Sequence, residues 1–127
     1  MKTILVDAYL TLILPDTGVD KDLRQLLDTY PNSKIVLTNA TADQMIQMGI
    51  DKSPYEVFTC SHEPDKIDPD FYKKFLSKYN LSADDVVYFE HAPEAVTSAQ
   101  SIGITTYHFN SDVRDLAALK KFLDENA

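Results

Sequence analysis

Four chemically capable residues lie far apart in this chain, and three of them end apolar runs. Asp7 closes "TILVD", Thr38 and Asn39 follow "KIVL", and Glu90 with His91 follows "VVYF"; Lys66 lies in the polar stretch "DKIDPD". An ionised carboxylate is costly to bury unless it is paired or neutralised. One standing at the end of a buried strand therefore marks either the start of a loop or a place where charge is used. A carboxylate such as Asp7 can attack phosphorus and carry an acyl-phosphate intermediate. Thr38 can hold a phosphoryl oxygen through its hydroxyl and backbone. Lys66 can neutralise charge that develops in a transition state. Glu90 can join Asp7 around Mg²⁺, a hard cation satisfied by one or two carboxylates plus water and substrate oxygens. Taken singly, each has a plainer reading. Thr38 makes a local strand-end bond, Lys66 is a solvated charge, Glu90 favours the dipole of a helix behind it, and His62 and His91 are bystanders. The succession of strand-end Asp, strand-end Thr, loop Lys and strand-end acid is what favours the chemical reading.

The elements that must position these residues alternate regularly. "TILVDA", "KIVLT", the shorter "YEVFTC", "DVVYFE" and "ITTYHF" are apolar, β-branched runs of strand length. Between them lie helical stretches. "DKDLRQLLDTY" carries Leu23, Leu26 and Leu27 on one face behind Asp20 as cap, and "TADQMIQMG" has Thr41 and Gln44 at capping-box spacing with Gly49 at its stop. "DPDFYKKFLSKY" starts with Asp68 and Pro69, "PEAVTSAQSIG" runs from proline to Gly103, and "DLAALKKFLDENA" places Leu116, Leu119 and Leu123 on one face. Strand–helix alternation predicts right-handed parallel crossovers. Continuous apolar strands predict a sheet covered on both faces. The expected fold is α/β: a Rossmann-like three-layer α/β/α sandwich with a mostly parallel sheet, as one domain over residues 1–127. In such a sheet Asp7, Thr38 and Glu90 come to a single edge, where open α/β sheets bind their ligands.

Composition narrows the class of partner. With 127 residues, 44% hydrophobic and 25% charged, the chain suits one ordinary globular core. Its net charge of −8 argues against a nucleic-acid partner. That charge permits a small phosphorylated substrate, because a lysine and a metal reverse the potential within one cleft. No apolar run approaches membrane-spanning length, and no secretory pattern opens the chain. Cys60 is the only cysteine, so a cytoplasmic location is the default expectation.

With the residues in place, "ILVDAYLTLI", "KIVLTNA", "DKIDPDFYKKF" and "VVYFEHAPEAVTSAQSIGITTY" resemble, in order, the four motifs of the haloacid dehalogenase (HAD) superfamily. The resemblance spans nearly the whole chain and is most specific at Lys66 to Tyr72 and at "SAQSIGI". It implies Asp7 as nucleophile and Thr38, with Asn39 and Lys66, as the phosphate-binding group. Lys66 is then also the charge stabiliser, and Asp7, Glu90 and the Tyr9 backbone carbonyl are the Mg²⁺ ligands. The implied reaction is Mg²⁺-dependent phosphoryl hydrolysis.

The sequence departs from the family pattern at two places. Tyr9 stands in the catalytic position of the family's acid–base aspartate, and a phenol is a poor proton donor or acceptor near neutrality. Acid–base help is typically worth about 10²–10⁴ in rate, so slow hydrolysis is expected. In "EHAPEA", Ala95 stands where a later acid is expected and Glu94 falls one place early. These departures support an alternative, a catalytically reduced HAD-like protein kept for binding a partner protein. Asp-x-Tyr also resembles the 2-haloacid dehalogenases, which need no metal and attack a carbon bearing a halide. Those enzymes rely on an inserted helical cap, and the intervals 8–37 and 39–65 are filled by core elements, which ranks dehalogenation low. A phospho-acceptor receiver domain disagrees in motif order. The absence of a cap predicts an open site suited to a phosphorylated substrate, small or macromolecular.

Overall fold

The computed structural model describes residues 1–127. Its first strand, β1 (Thr3–Asp7), is followed by a small hairpin, β2 (Ile13–Leu14) and β3 (Gly18–Val19), and by α1 (Lys21–Asp28). Then come β4 (Lys34–Thr38), α2 (Ala42–Met48), β5 (Glu56–Thr59), α3 (Pro69–Tyr79), β6 (Val86–Glu90), α4 (Pro93–Ser101), β7 (Thr105–His108) and α5 (Leu116–Asn126). Five strands form one sheet in the order β5-β4-β1-β6-β7, every neighbouring pair parallel.

Strand periodicity divides the apolar side chains between two layers. Ile4, Val6, Val36, Val87 and Phe89 pack on one side with Leu23 and Leu27 of α1 and Leu119 and Leu123 of α5. Leu5, Ile35, Leu37, Val86 and Tyr88 pack on the other with Phe71, Tyr72 and Phe75 of α3 and Ala99 of α4. Both faces are thus covered, which is the three-layer sandwich that the continuous apolar strands require.

The order of the strands decides where the site lies. From β1 the chain moves outward through β4 and β5, then returns to the other side of β1 for β6 and β7. The reversal opens a crevice at the carboxyl ends of β1, β4 and β6, the usual ligand position in such sheets. Register makes the juxtaposition close: Asp7 lies opposite Leu37, and Val6 opposite Phe89, so Thr38 and Glu90 flank Asp7 one step further along.

The expected capping box is present. The Thr41 hydroxyl accepts from Gln44 N at 3.2 Å and Gln44 Oε1 accepts from Thr41 N at 2.9 Å, while Gly49 ends α2 at φ 78°. Thr41→Ala should lower stability by about 1 kcal/mol, read as a shift in urea midpoint at unchanged slope. The hairpin at Ile13–Val19 was not among the expected elements. Two-residue strands carry no measurable period, and only the turn chemistry of Pro15, Asp16 and Gly18, with Gly18 at φ 77°, announces it. No helix is long and apolar enough to cross a membrane.

Candidate active site

Asp7 is the last residue of β1, and the chain turns tightly behind it. Leu12 N donates to the Ala8 carbonyl at 2.9 Å and Ile13 N to the same oxygen at 2.9 Å, with Leu10 in the left-handed region at φ 70°. Arg114, distant in sequence, holds this turn. Its guanidinium donates to the Leu10 carbonyl at 2.9 Å, to the Thr11 carbonyl at 2.6 Å and to Asp20 at 2.7 Å. The turn brings Thr11 back over the strand end, where its hydroxyl donates to Asp7 Oδ2 at 2.7 Å.

Around Asp7 the structure assembles a closed set of charges. Lys66 Nζ donates to Asp7 Oδ1 at 2.6 Å and to Glu90 Oε1 at 2.9 Å. On the opposite side, His91 donates its backbone N–H to Asp7 Oδ2 at 3.2 Å, and its ring Nδ1 contacts the same oxygen. That ring nitrogen is also 3.2 Å from Glu90 Oε2. Glu90 further accepts from the Tyr88 hydroxyl and, at 3.0 Å, from Ala92 N. Asp7, Lys66 and Glu90 are all buried, whereas the His91 side chain is 25% exposed. No buried side-chain polar atom lacks a partner.

The electrostatics follow from this closure. Burial alone would lower the pKa of the Lys66 ammonium, but the charges of Asp7 and Glu90 outweigh it and hold the group firmly protonated. Burial likewise opposes ionisation of Glu90, yet Lys66, His91 and the Ala92 N–H together keep it well below the usual carboxylate range. At Asp7, burial and then the neighbouring Glu90 charge outweigh the pull of Lys66 and His91 and raise its pKa. Hydrogen bonding to Asp7 first, and then to Glu90, raises His91 to about 10. Two basic groups thus face two carboxyl groups.

The four residues selected from the sequence order meet at one cavity of about 350 Å³, lined by Asp7, Thr38, Lys66 and Glu90 together with Tyr9, Asn39 and Ala95. Thr38 is buried, and its hydroxyl accepts from Ala40 N at 3.2 Å. Asn39 accepts from Lys66 N at 2.8 Å and donates to Asp65 at 3.2 Å, so it ties the end of β4 to the lysine loop. At the rim, His62 contacts Gln44 at 3.0 Å and Asp65 at 3.4 Å. The carboxylate oxygens of Asp7 and Glu90 and a ring nitrogen of His91 lie within 4.8 Å of one another, a spacing suited to a cation.

The reading of His91 as a bystander requires correction: its ring bridges the two carboxylates. Two other participants were missed. Tyr88 is recoverable in principle, since period-2 spacing puts it on the same strand face as Glu90. Thr11 follows Asp7 by four residues in a turn that shows no sequence period, and nothing in the sequence marks its contact.

No protein-family model matches the chain, and no curated protein matches it. Solved structures do. A HAD family enzyme from Bacteroides thetaiotaomicron, in complex with magnesium and inorganic phosphate, superposes with TM-score 0.69 at 13% identity over 85% of this chain and 93% of that one. The D,D-heptose 1,7-bisphosphate phosphatase from B. bronchiseptica, complexed with magnesium and phosphate, gives 0.66 at 18% identity over 100% of both chains. A HAD-superfamily hydrolase of subfamily IA from Geobacter sulfurreducens gives 0.55 at 20% identity, over 72% of this chain and 46% of that one. With a parallel sheet of this order and Asp7, Thr38, Lys66 and Glu90 gathered at its carboxyl edge, the chain has the haloacid dehalogenase-like fold.

Proposed function

We propose that this chain is a capless, single-domain HAD-like phosphohydrolase that uses Mg²⁺ and passes a phosphoryl group through Asp7. The observation that carries the proposal is the position of Asp7. It is a buried strand-end carboxylate, 2.6 Å from a buried lysine, beside a cavity that also holds Thr38. The magnesium and phosphate bound by the structurally similar enzymes support the same reading. The donor set fits Mg²⁺: carboxylate oxygens of Asp7 and Glu90 lie within 4.8 Å of one another, and Tyr9, which lines the same cavity, has a carbonyl that accepts no hydrogen bond from the chain. Asp7, Glu90 and that carbonyl would hold the ion, whose chemistry is to neutralise phosphoryl oxygen charge.

The chain's own residues supply the rest. Thr38 holds a phosphoryl oxygen. An oxygen of Asp7 forms a bond to phosphorus while the bond to the leaving oxygen breaks, and the leaving oxygen takes a proton from water. Water then attacks the acyl phosphate, releasing inorganic phosphate and restoring the carboxylate. Lys66 stays against the carboxylates as counter-charge throughout. The substrate is a phosphate ester, small or macromolecular, and a cavity bounded only by core elements suits one carried on another protein.

The test is hydrolysis of a generic aryl phosphate with and without Mg²⁺, together with mass spectrometry of the chain for a phosphoryl group on Asp7. Metal-dependent release and a transient adduct are expected. Neither, at high protein concentration, would overturn the proposal. One observation favours the second reading, a catalytically reduced binding protein: both oxygens of Asp7 are already engaged by donors of the chain itself. Tyr9→Asp separates the two. If the missing acid–base group limits hydrolysis, the variant should turn over about 10²-fold faster at neutral pH. A folded, Mg²⁺-binding variant with no gain would support the binding role.

A further inference from the structure

Between the Asp7 and Glu90 carboxylates the chain places a side chain of its own. His91 Nδ1 contacts Asp7 Oδ2 and lies 3.2 Å from Glu90 Oε2. A divalent cation held by the same two oxygens needs to stand at about 2.0–2.1 Å from each, on oxygens that the ring nitrogen already engages. The ring nitrogen and such a cation therefore compete for the same two oxygens.

The structure also provides a way for the ring to leave. The backbone of His91 is fixed on both sides: its N–H donates to Asp7 at 3.2 Å, and its carbonyl accepts from His108 Nε2 at 2.9 Å. The side chain, by contrast, is partly exposed and lines the cavity. Rotation about the side-chain bonds alone would clear the seat, with β6 and α4 left in place. Asp7 would keep Lys66, Thr11 and the His91 N–H, and Glu90 would keep Lys66, Tyr88 and the Ala92 N–H. The ring therefore removes only its own contacts when it goes.

We propose that the His91 side chain is a built-in occupant of the divalent-cation seat, so that the ring and a metal ion hold the Asp7–Glu90 pair in alternation. This rests on the phosphohydrolase reading for the existence of the seat. Metal binding then selects molecules whose ring has turned out, and the apparent affinity is reduced by the fraction in which it has not.

The experiment is calorimetric titration of the full chain with Mg²⁺, for wild type and His91→Ala, while the His91 ring resonances of the wild type are followed by NMR. His91→Asn, which keeps a polar side chain beside the carboxylates, serves if His91→Ala does not fold. Removing the ring should tighten Mg²⁺ binding by about 10- to 100-fold, as expected for an occupant present in most molecules. The ring resonances of the wild type should move as Mg²⁺ is added. Weaker binding by the variants would overturn the proposal, because the ring would then be a ligand. Equal binding would overturn it as well, since the ring would not stand in the seat. No binding by any of the proteins would also overturn it. In that event, metal-free turnover of the aryl phosphate by wild type would leave a hydrolase standing, and the two failures would be told apart.

Discussion

Asp7→Asn should abolish turnover of an aryl phosphate and remove the phosphoryl adduct, with a loss on the order of 10⁴-fold or more, as found when a nucleophile is deleted. The carboxamide keeps the size of the side chain but cannot attack phosphorus. It also fits its surroundings badly. Asp7 accepts from a group that can only donate on each oxygen: Lys66 Nζ on one and the His91 backbone N–H on the other. Whichever way the amide is turned, its NH₂ faces a donor. A stability loss of about 1–3 kcal/mol is therefore expected beside the loss of activity. Turnover has to be compared where far-UV circular dichroism shows the variant folded. A folded variant retaining turnover within tenfold of wild type would mean that water attacks phosphorus directly and that Asp7 is not the nucleophile.

Lys66→Met should destabilise the fold by about 3–5 kcal/mol, the cost of stripping one partner from a buried ion pair. Lys66 is the only group that contacts both carboxylates from the interior side, at 2.6 and 2.9 Å, and all three residues are buried. Methionine keeps most of the volume, so the loss is electrostatic. His91 alone is left to balance two carboxylates. Urea unfolding measures the effect; a change below about 1 kcal/mol would show that the carboxylates relieve each other by taking up a proton or admitting water. Surface pairs offer the contrast. Lys120 and Asp124 lie 2.6 Å apart, but both are about half exposed, and breaking such a pair should change stability by less than about 1 kcal/mol.

The main elements of this fold were legible because their signals are local. Periodicity marked Leu23 and Leu27 or Leu119 and Leu123 as buried, and each pair does pack against the sheet. Caps at Asp20, Thr41 and Asp68 stand where side-chain chemistry put them. Alternation of strands and helices required parallel pairing. The polar strand ends at Asp7, Thr38 and Glu90, with Lys66 between, mark a shared edge by their order alone.

The layered α/β architecture and the residue types offered at one edge of its sheet are therefore written in the amino-acid order. Both follow from interactions between residues near in sequence. The tertiary structure alone decided how the charges at that edge are paired. Strand order put β1 between β4 and β6. Only that order makes Lys66 bridge Asp7 and Glu90, lets Arg114 clamp the turn behind Asp7, and sets the ring of His91 between two carboxylates. Ionic contacts between distant segments have no period and no fixed spacing. They depend on distances of a few ångströms between groups that the chain brings together only by folding.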